Sequence, residues 1–382
     1  MSSRLAVARH AARFGLDLVN AAYPARRTPP VPSHARWSAA RARQWQSDVG
    51  WLVGCNFTPS TASNQLEMFQ PGTYDPVTID RELGWAAELG FTSIRLFLHH
   101  LLVEVPGFLD RLDEVLDIAD AHGIGAMPVL FDGCWNPESA LGPPPEPRPG
   151  VHNSRWLQSP GSAILRDRSR WDSLRPYVET VMGRFGEDRR VHAWDLFNEP
   201  NQVDVYFPST GTPDKHHLAA GLLERVFDWA QVIDPDQPLT AGVFLGTSGA
   251  TERAGAINRC MLSRSDVISF HSYQGRERLV AAIDHLERYE RPLLCTEWLG
   301  RPTSTADLID VLADRGVGAY CWGLVDGRTQ TKFPWVSWIR TTPEHAPWFH
   351  ELLHPDGTPY DPAEVERFER VCGPRRADRP GA

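Results

Sequence analysis

The 382-residue chain lacks any apolar run of about 18 residues, the length a membrane-crossing helix requires. It also lacks a basic excess: 39 Lys and Arg stand against 48 Asp and Glu, a net charge of −9. That balance argues against a nucleic-acid partner, whose phosphates call for a basic face. Cysteines are few and unpaired in spacing. The six are Cys55, Cys134, Cys260, Cys295, Cys321 and Cys372, with no C-x-x-C. Buried free thiols are expected, not disulfides or zinc. The first thirty residues have no secretory apolar core, because Arg4, Arg9 and Arg13 interrupt it, and a cytoplasmic location is the expectation. Tryptophan, by contrast, is plentiful, at 14 residues. Trp stacks well on sugar rings and also fills cores.

Apolar runs of strand length recur from Trp51 to Gly323: residues 51–57, 93–98, 126–131, 192–198, 238–244, 267–273, 292–298 and 317–323. Most are continuously apolar, as parallel strands buried on both faces are. Amphipathic stretches lie between them. In the first, Asp75 reads as an N-cap, Pro76 as the first helical residue, Ile79, Leu83, Ala86 and Leu89 as one face, and Gly90 as the stop. The stretch near 251–262 is the weakest of these patterns. Eight strand–helix repeats predict an α/β fold, a single-domain (β/α)8 or TIM barrel. One connection is far longer than the rest, a Pro- and Gly-rich loop from Asp132 to Gly161 after strand three. The expected boundaries are a basic N-terminal extension over 1–44, the barrel over 45–354, and a C-terminal tail over 355–382. The extension holds eight Arg and one acid, Asp17, and is expected to be frayed.

In such a barrel, chemistry sits at the C-terminal ends of the strands. The fourth run closes on Asn198 and Glu199, and the seventh on Glu297. A carboxylate is disfavoured in strands and costly to bury, so two at the mouth of apolar strands need a reason. Glycosidic cleavage supplies one. It needs a proton donor for the leaving oxygen and a second carboxylate on the other face of the sugar, roughly 5 Å away where configuration is retained. The alternatives are structural: Glu199 capping the next helix, and Glu297 satisfying Arg95. Metal chemistry is not expected. Neighbours on a strand face opposite ways, so His99-His100 would chelate poorly, as would His216-His217, and no H-x-H closes strand one.

With Asn198-Glu199-Pro200 closing strand four and Thr296-Glu297-Trp298 closing strand seven, the sequence resembles the clan A retaining glycoside hydrolases, the family-5 cellulase-like group in particular. The resemblance covers about residues 51–350. It implies Glu199 as general acid/base, Glu297 as nucleophile, and Asn198 bonded to a sugar 2-hydroxyl. It further implies Arg95 on strand two beside the nucleophile, His271 and Tyr273 after strand six with the tyrosine on the nucleophile, and Trp322 as the sugar platform. A His common in the group near the end of strand three is missing. Asp132 and Trp135 stand there, and His99 or His100 is expected to take part of that role. Trp135 and Trp298 are expected to line the cleft.

These readings predict a retaining β-glycoside hydrolase without cofactor, acting on a soluble β-linked oligosaccharide or a small β-glycoside. A transglycosidase with the same two Glu residues and an idle carbohydrate-binding barrel are the alternatives. The Asp132–Gly161 loop and residues 329–338 are expected to wall the cleft and favour exo action. The sequence assigns no oligomeric state.

Overall fold

A computed structural model describes residues 36–244, 255–343 and 345–373. Nine parallel strand segments form one sheet: β1 (Val53–Phe57), β2 (Ser93–Phe97), β3 (Gly125–Val129), β4 (Trp194–Asp195), β5 (Leu239–Thr240), β6 (Val243–Phe244), β7 (Ile268–His271), β8 (Leu293–Trp298) and β9 (Gly318–Trp322). Their order is β5-β4-β3-β2-β1-β9-β8-β7-β6. β5 and β6 are two halves of one stave, parted by Ala241 and Gly242. The first half pairs with β4 (Trp194 opposite Leu239), the second with β7 (Val243 opposite Phe270). The ring therefore closes, and the eight staves coincide with the eight apolar runs, β3 starting one residue before its run.

The connecting helices follow the local signals. Asp75 caps the helix Pro76–Glu88 by accepting from Thr78 N. Ile79, Leu83 and Ala86 on its inner face have no exposed surface. Gly90 ends it at φ 82°, where a side chain would be strained. The weak stretch after stave five forms the helix Gly255–Arg264, its first predicted residues lying outside the described part. All six cysteines are free thiols, and five are buried.

Both domain boundaries shift. The helix Ala39–Val49 straddles residue 44 and closes the floor of the barrel. Trp37, Trp45 and Val49 pack there on Leu52, Met127, Ala193, Val267, Leu294 and Tyr320. Trp37 N donates to Asp266 Oδ1 (2.7 Å) and Trp45 Nε1 to His192 O (3.0 Å). At the other end, the helix Pro362–Cys372 is not a loose tail. Its Phe368 is fully buried between Phe91 (centroids 5.7 Å) and Trp298 (5.9 Å). In both segments a few aromatic anchors sit among charged residues, which hides them from a compositional reading.

Phe368→Ala should therefore cost about 3–5 kcal/mol, as deletion of a core aromatic does. Denaturant unfolding measures it, and a loss under about 1 kcal/mol would place the helix outside the core.

Candidate active site

Side chains alternate along a stave, so its last residues divide between the mouth and the outer layer. On β8, Glu297 faces the mouth. Trp298 faces outward, wholly buried against Phe368. The expectation that Trp298 lines the cleft is thus incorrect, for reasons of parity.

Arg95 on β2 organises the site from below. It has no exposed surface. Its Nη1 donates to Glu297 Oε1 (3.1 Å) and Asn56 Oδ1 (2.7 Å), its Nε and Nη2 to Asp195 Oδ2 (3.0 and 2.8 Å), and its Nη2 to Asn198 Oδ1 (2.6 Å). These bonds fix which end of the Asn198 amide faces which neighbour. Asn198 Nδ2 then donates to Asp132 Oδ1 (2.9 Å). Asp132 also accepts from Trp156 Nε1 (2.6 Å), Gln65 Nε2 (3.3 Å) and Cys134 N (2.9 Å). It lies behind the cavity as a support for Asn198, not in the cavity as a sugar contact. Burial pushes its carboxyl up to about 6.

Glu199 follows β4 at φ 39°, in the left-handed region that side chains rarely adopt. The chain there runs so close to Gly133 that a Cβ on the glycine would fall 2.2 Å from Glu199 O. The turn lets the carboxyl face the mouth. Its Oε2 accepts from Gln202 Nε2 (2.8 Å) and Cys134 Sγ (3.3 Å). Its Oε1 lies 2.7 Å from His271 Nδ1. Burial lowers His271 to about 4, so the ring is neutral near pH 7 and Nδ1–H donates. His271 therefore serves Glu199 from beneath instead of lining the cavity.

Glu297 Oε2 accepts from Tyr273 OH (2.8 Å), opposite the Arg95 contact. One oxygen of Glu199, one of Glu297 and a ring nitrogen of His271 lie within 4.8 Å of one another. These three are spaced as metal ligands are, but Arg95 already occupies Glu297 and the imidazole already occupies Glu199. Burial raises the proton affinity of both carboxyls, and the charge of Glu199 lifts Glu297 further. Two such groups resist ionising together. Glu297, with a cation and a phenol donating to it and His271 Nδ1 3.5 Å from its Oε2, has the stronger donors to its ionised form.

A cavity of ≈ 360 Å³ opens above the pair. Trp135, Asn198, Glu199, Tyr273, Glu297 and Trp322 line it. Trp335, within the 329–338 segment expected to wall the cleft, lines it too, as do Tyr206 and His350, which no motif marked. Trp135 stacks with Tyr206 (5.6 Å, 11°) and Trp338 (5.5 Å, 12°). His99 is not in this wall. It is buried on His100 (4.6 Å), with its Nε2 donating to Gln158 O (3.0 Å), and it anchors the long loop. Asn56 and Asp195 were also missed, although an acid in the middle of WDLFN was a usable signal.

Arg95→Leu should cost about 3–5 kcal/mol at pH 7, because Asp195 and Glu297 would be left buried and unpaired. In that variant the carboxyls titrate higher folded than unfolded. The penalty is then full above the folded values and shrinks as pH falls towards the unfolded value near 4. Urea unfolding at pH 4.5 and 7 would show this. An equal loss at both would contradict the buried charges.

No protein-family model matches the sequence, and no curated protein matches it significantly. Solved structures do match. A GH5_18 variant from Streptomyces cattleya in complex with Manβ1-4GlcNAc superposes with a TM-score of 0.60 at 17% identity, covering 87% of this chain and 82% of that one. A β-1,4-mannanase from the sea hare Aplysia kurodai gives 0.53 at 17%, covering 71% and 87%. An endo-β-1,4-mannanase from Thermotoga petrophila gives 0.54 at 13%, covering 86% and 77%. The chain thus shares the (β/α)8 barrel fold of these structures.

Proposed function

We propose that the protein is a retaining β-glycoside hydrolase, acting on a soluble β-linked oligosaccharide or a small β-glycoside. The observation that carries this is the carboxyl pair at the mouth, with oxygens within 4.8 Å of each other. That separation suits attack by one carboxylate on the anomeric carbon and falls short of the roughly 6.5–9.5 Å between carboxyls that inversion uses.

In the first step Glu297 attacks the anomeric carbon while Glu199 gives its proton to the departing oxygen. In the second, Glu199 takes a proton from water, and that water releases the sugar from Glu297 with retention. Arg95 and Tyr273 hold Glu297 ionised between turnovers. The neutral His271 lets Glu199 keep its proton, which an imidazolium at 2.7 Å would drive off. Asn198, clamped by Arg95 and Asp132, faces the sugar beside Glu297. Trp322 supplies an apolar face. The reaction needs no cofactor.

Glu297→Ala should abolish turnover of aryl β-glycosides, and azide should restore part of it with inverted product. Glu199→Ala should slow substrates with poor leaving groups by about 10²–10⁴ and activated aryl glycosides far less. Equal losses on both classes would contradict the acid role.

Tyr273→Phe removes a donor to the ionised form of Glu297 and so raises its pKa. The acid limb of the kcat/KM–pH profile should move to higher pH by about one unit. A limb that stays in place would separate Tyr273 from the group that must ionise.

A further inference from the structure

Two loops are sewn together over the cavity. Asn153 N donates to Thr329 O (2.9 Å), His152 N to Ser337 Oγ (3.0 Å) and Gly150 N to Gln330 Oε1 (2.8 Å). In return Trp338 Nε1 donates to His152 O (2.7 Å) and Gln330 Nε2 to Arg148 O (3.0 Å). One loop follows β3 and the other β9. The ring order is β3-β2-β1-β9, so this seam spans the mouth above β2 and β1.

The space under the seam is filled. Trp156 is 1% exposed and packs edge-on against Phe97 of β2 (5.1 Å) and Trp322 of β9 (5.6 Å). Its Nε1 is held by Asp132. Gln65, from the short helix after β1, ties in through Leu157 O (3.0 Å). The general acid stands on the leaving-group side of the bond, so the aglycone lies towards Glu199 on stave four. The sugar that is cleaved off rests on Trp322. Any sugar preceding it would run over β1 and β2, where Trp156 and the seam stand.

One residue of the seam is unusual. Asn153 lines the cavity, is 1% exposed and has φ 45°. Its backbone is fixed, with N on Thr329 O and O accepting from Trp156 N (3.1 Å). Among the described residues neither Nδ2 nor Oδ1 has a partner. A buried amide lacking both bonds is rare and costs stability, unless a ligand completes it. An amide offers a donor and an acceptor side by side, which matches the hydroxyls of a sugar.

Building on the hydrolase reading above, we propose that the seam makes the cavity a blind pocket for one unsubstituted non-reducing terminal sugar, whose hydroxyls the Asn153 amide reads. The enzyme then removes single sugars from chain ends.

The test uses p-nitrophenyl β-glycosides of glucose, mannose, xylose, galactose and fucose. For the sugar that is turned over, the 4-O-methyl derivative should react roughly a hundredfold more slowly. The p-nitrophenyl β-1,4-disaccharide should yield monosaccharide first. Asn153→Gly tolerates the left-handed backbone and should lower kcat/KM about tenfold with its melting temperature preserved. Asn153→Asp keeps the shape and should lose a similar factor. Early release of intact disaccharide, equal rates on the methylated sugar, or unchanged kcat/KM in both variants would overturn the proposal alone. Failure to turn over any of the five glycosides would overturn the reading of the carboxyl pair, and this proposal with it.

Discussion

The guanidinium of Arg95 at the centre of the barrel is the constraint on which the site depends. A buried cation is tolerable only when its charge and its donors are met. Here Asp195, Glu297, Asn56 and Asn198 meet them, and they come from β4, β8, β1 and the end of β4. No two neighbours in sequence could do this. The ring must close to bring those staves to one point. Closure of the fold and ionisation of Glu297 are therefore one electrostatic problem with one solution.

The two mouth carboxyls are chemically identical and become different through their neighbours. Glu297 touches a fixed cation and a phenol. Glu199 touches an amide, a thiol and an imidazole that burial keeps neutral. Burial raises both, so a proton is retained, and the donors decide where it rests. His271 is central to this. Were it charged it would make the two sites more alike, and the difference between the carboxyls would fade.

How much was legible follows from where each residue stands. The staves could be read because residues buried on both faces are continuously apolar. Glu199 and Glu297 could be read because a carboxylate there is costly. Parity was readable too, but went unused: if Glu297 faces the mouth, Trp298 cannot. The resemblance points Asp132 and His99 at the cavity, in place of a histidine missing near the end of stave three. A buried supporting residue and a sugar contact look alike in one dimension, and the long loop folding back over them made the difference. The segments 132–161 and 329–338 were legible as walls, but their individual contacts were not. Tyr206, Trp335 and His350 come together through contacts such as Tyr206 OH to Trp335 O (3.2 Å), and no local pattern encodes these.

This division has a physical basis. Proton transfer and attack require groups held to fractions of an ångström, which staves with buried ladders provide. Recognition of a sugar requires a surface of suitable shape, which loops can supply if something holds them. Here the loops are held by their own backbone and amide groups, and by the buried pair of Lys215 with Asp204 (2.7 Å), whose ammonium also bonds Gly133 O. Gly133 is the residue that Glu199 grazes. The wall and Glu199 are consequently coupled through one glycine: a change in the long loop that shifted Gly133 would move the Glu199 carboxyl as well as the pocket.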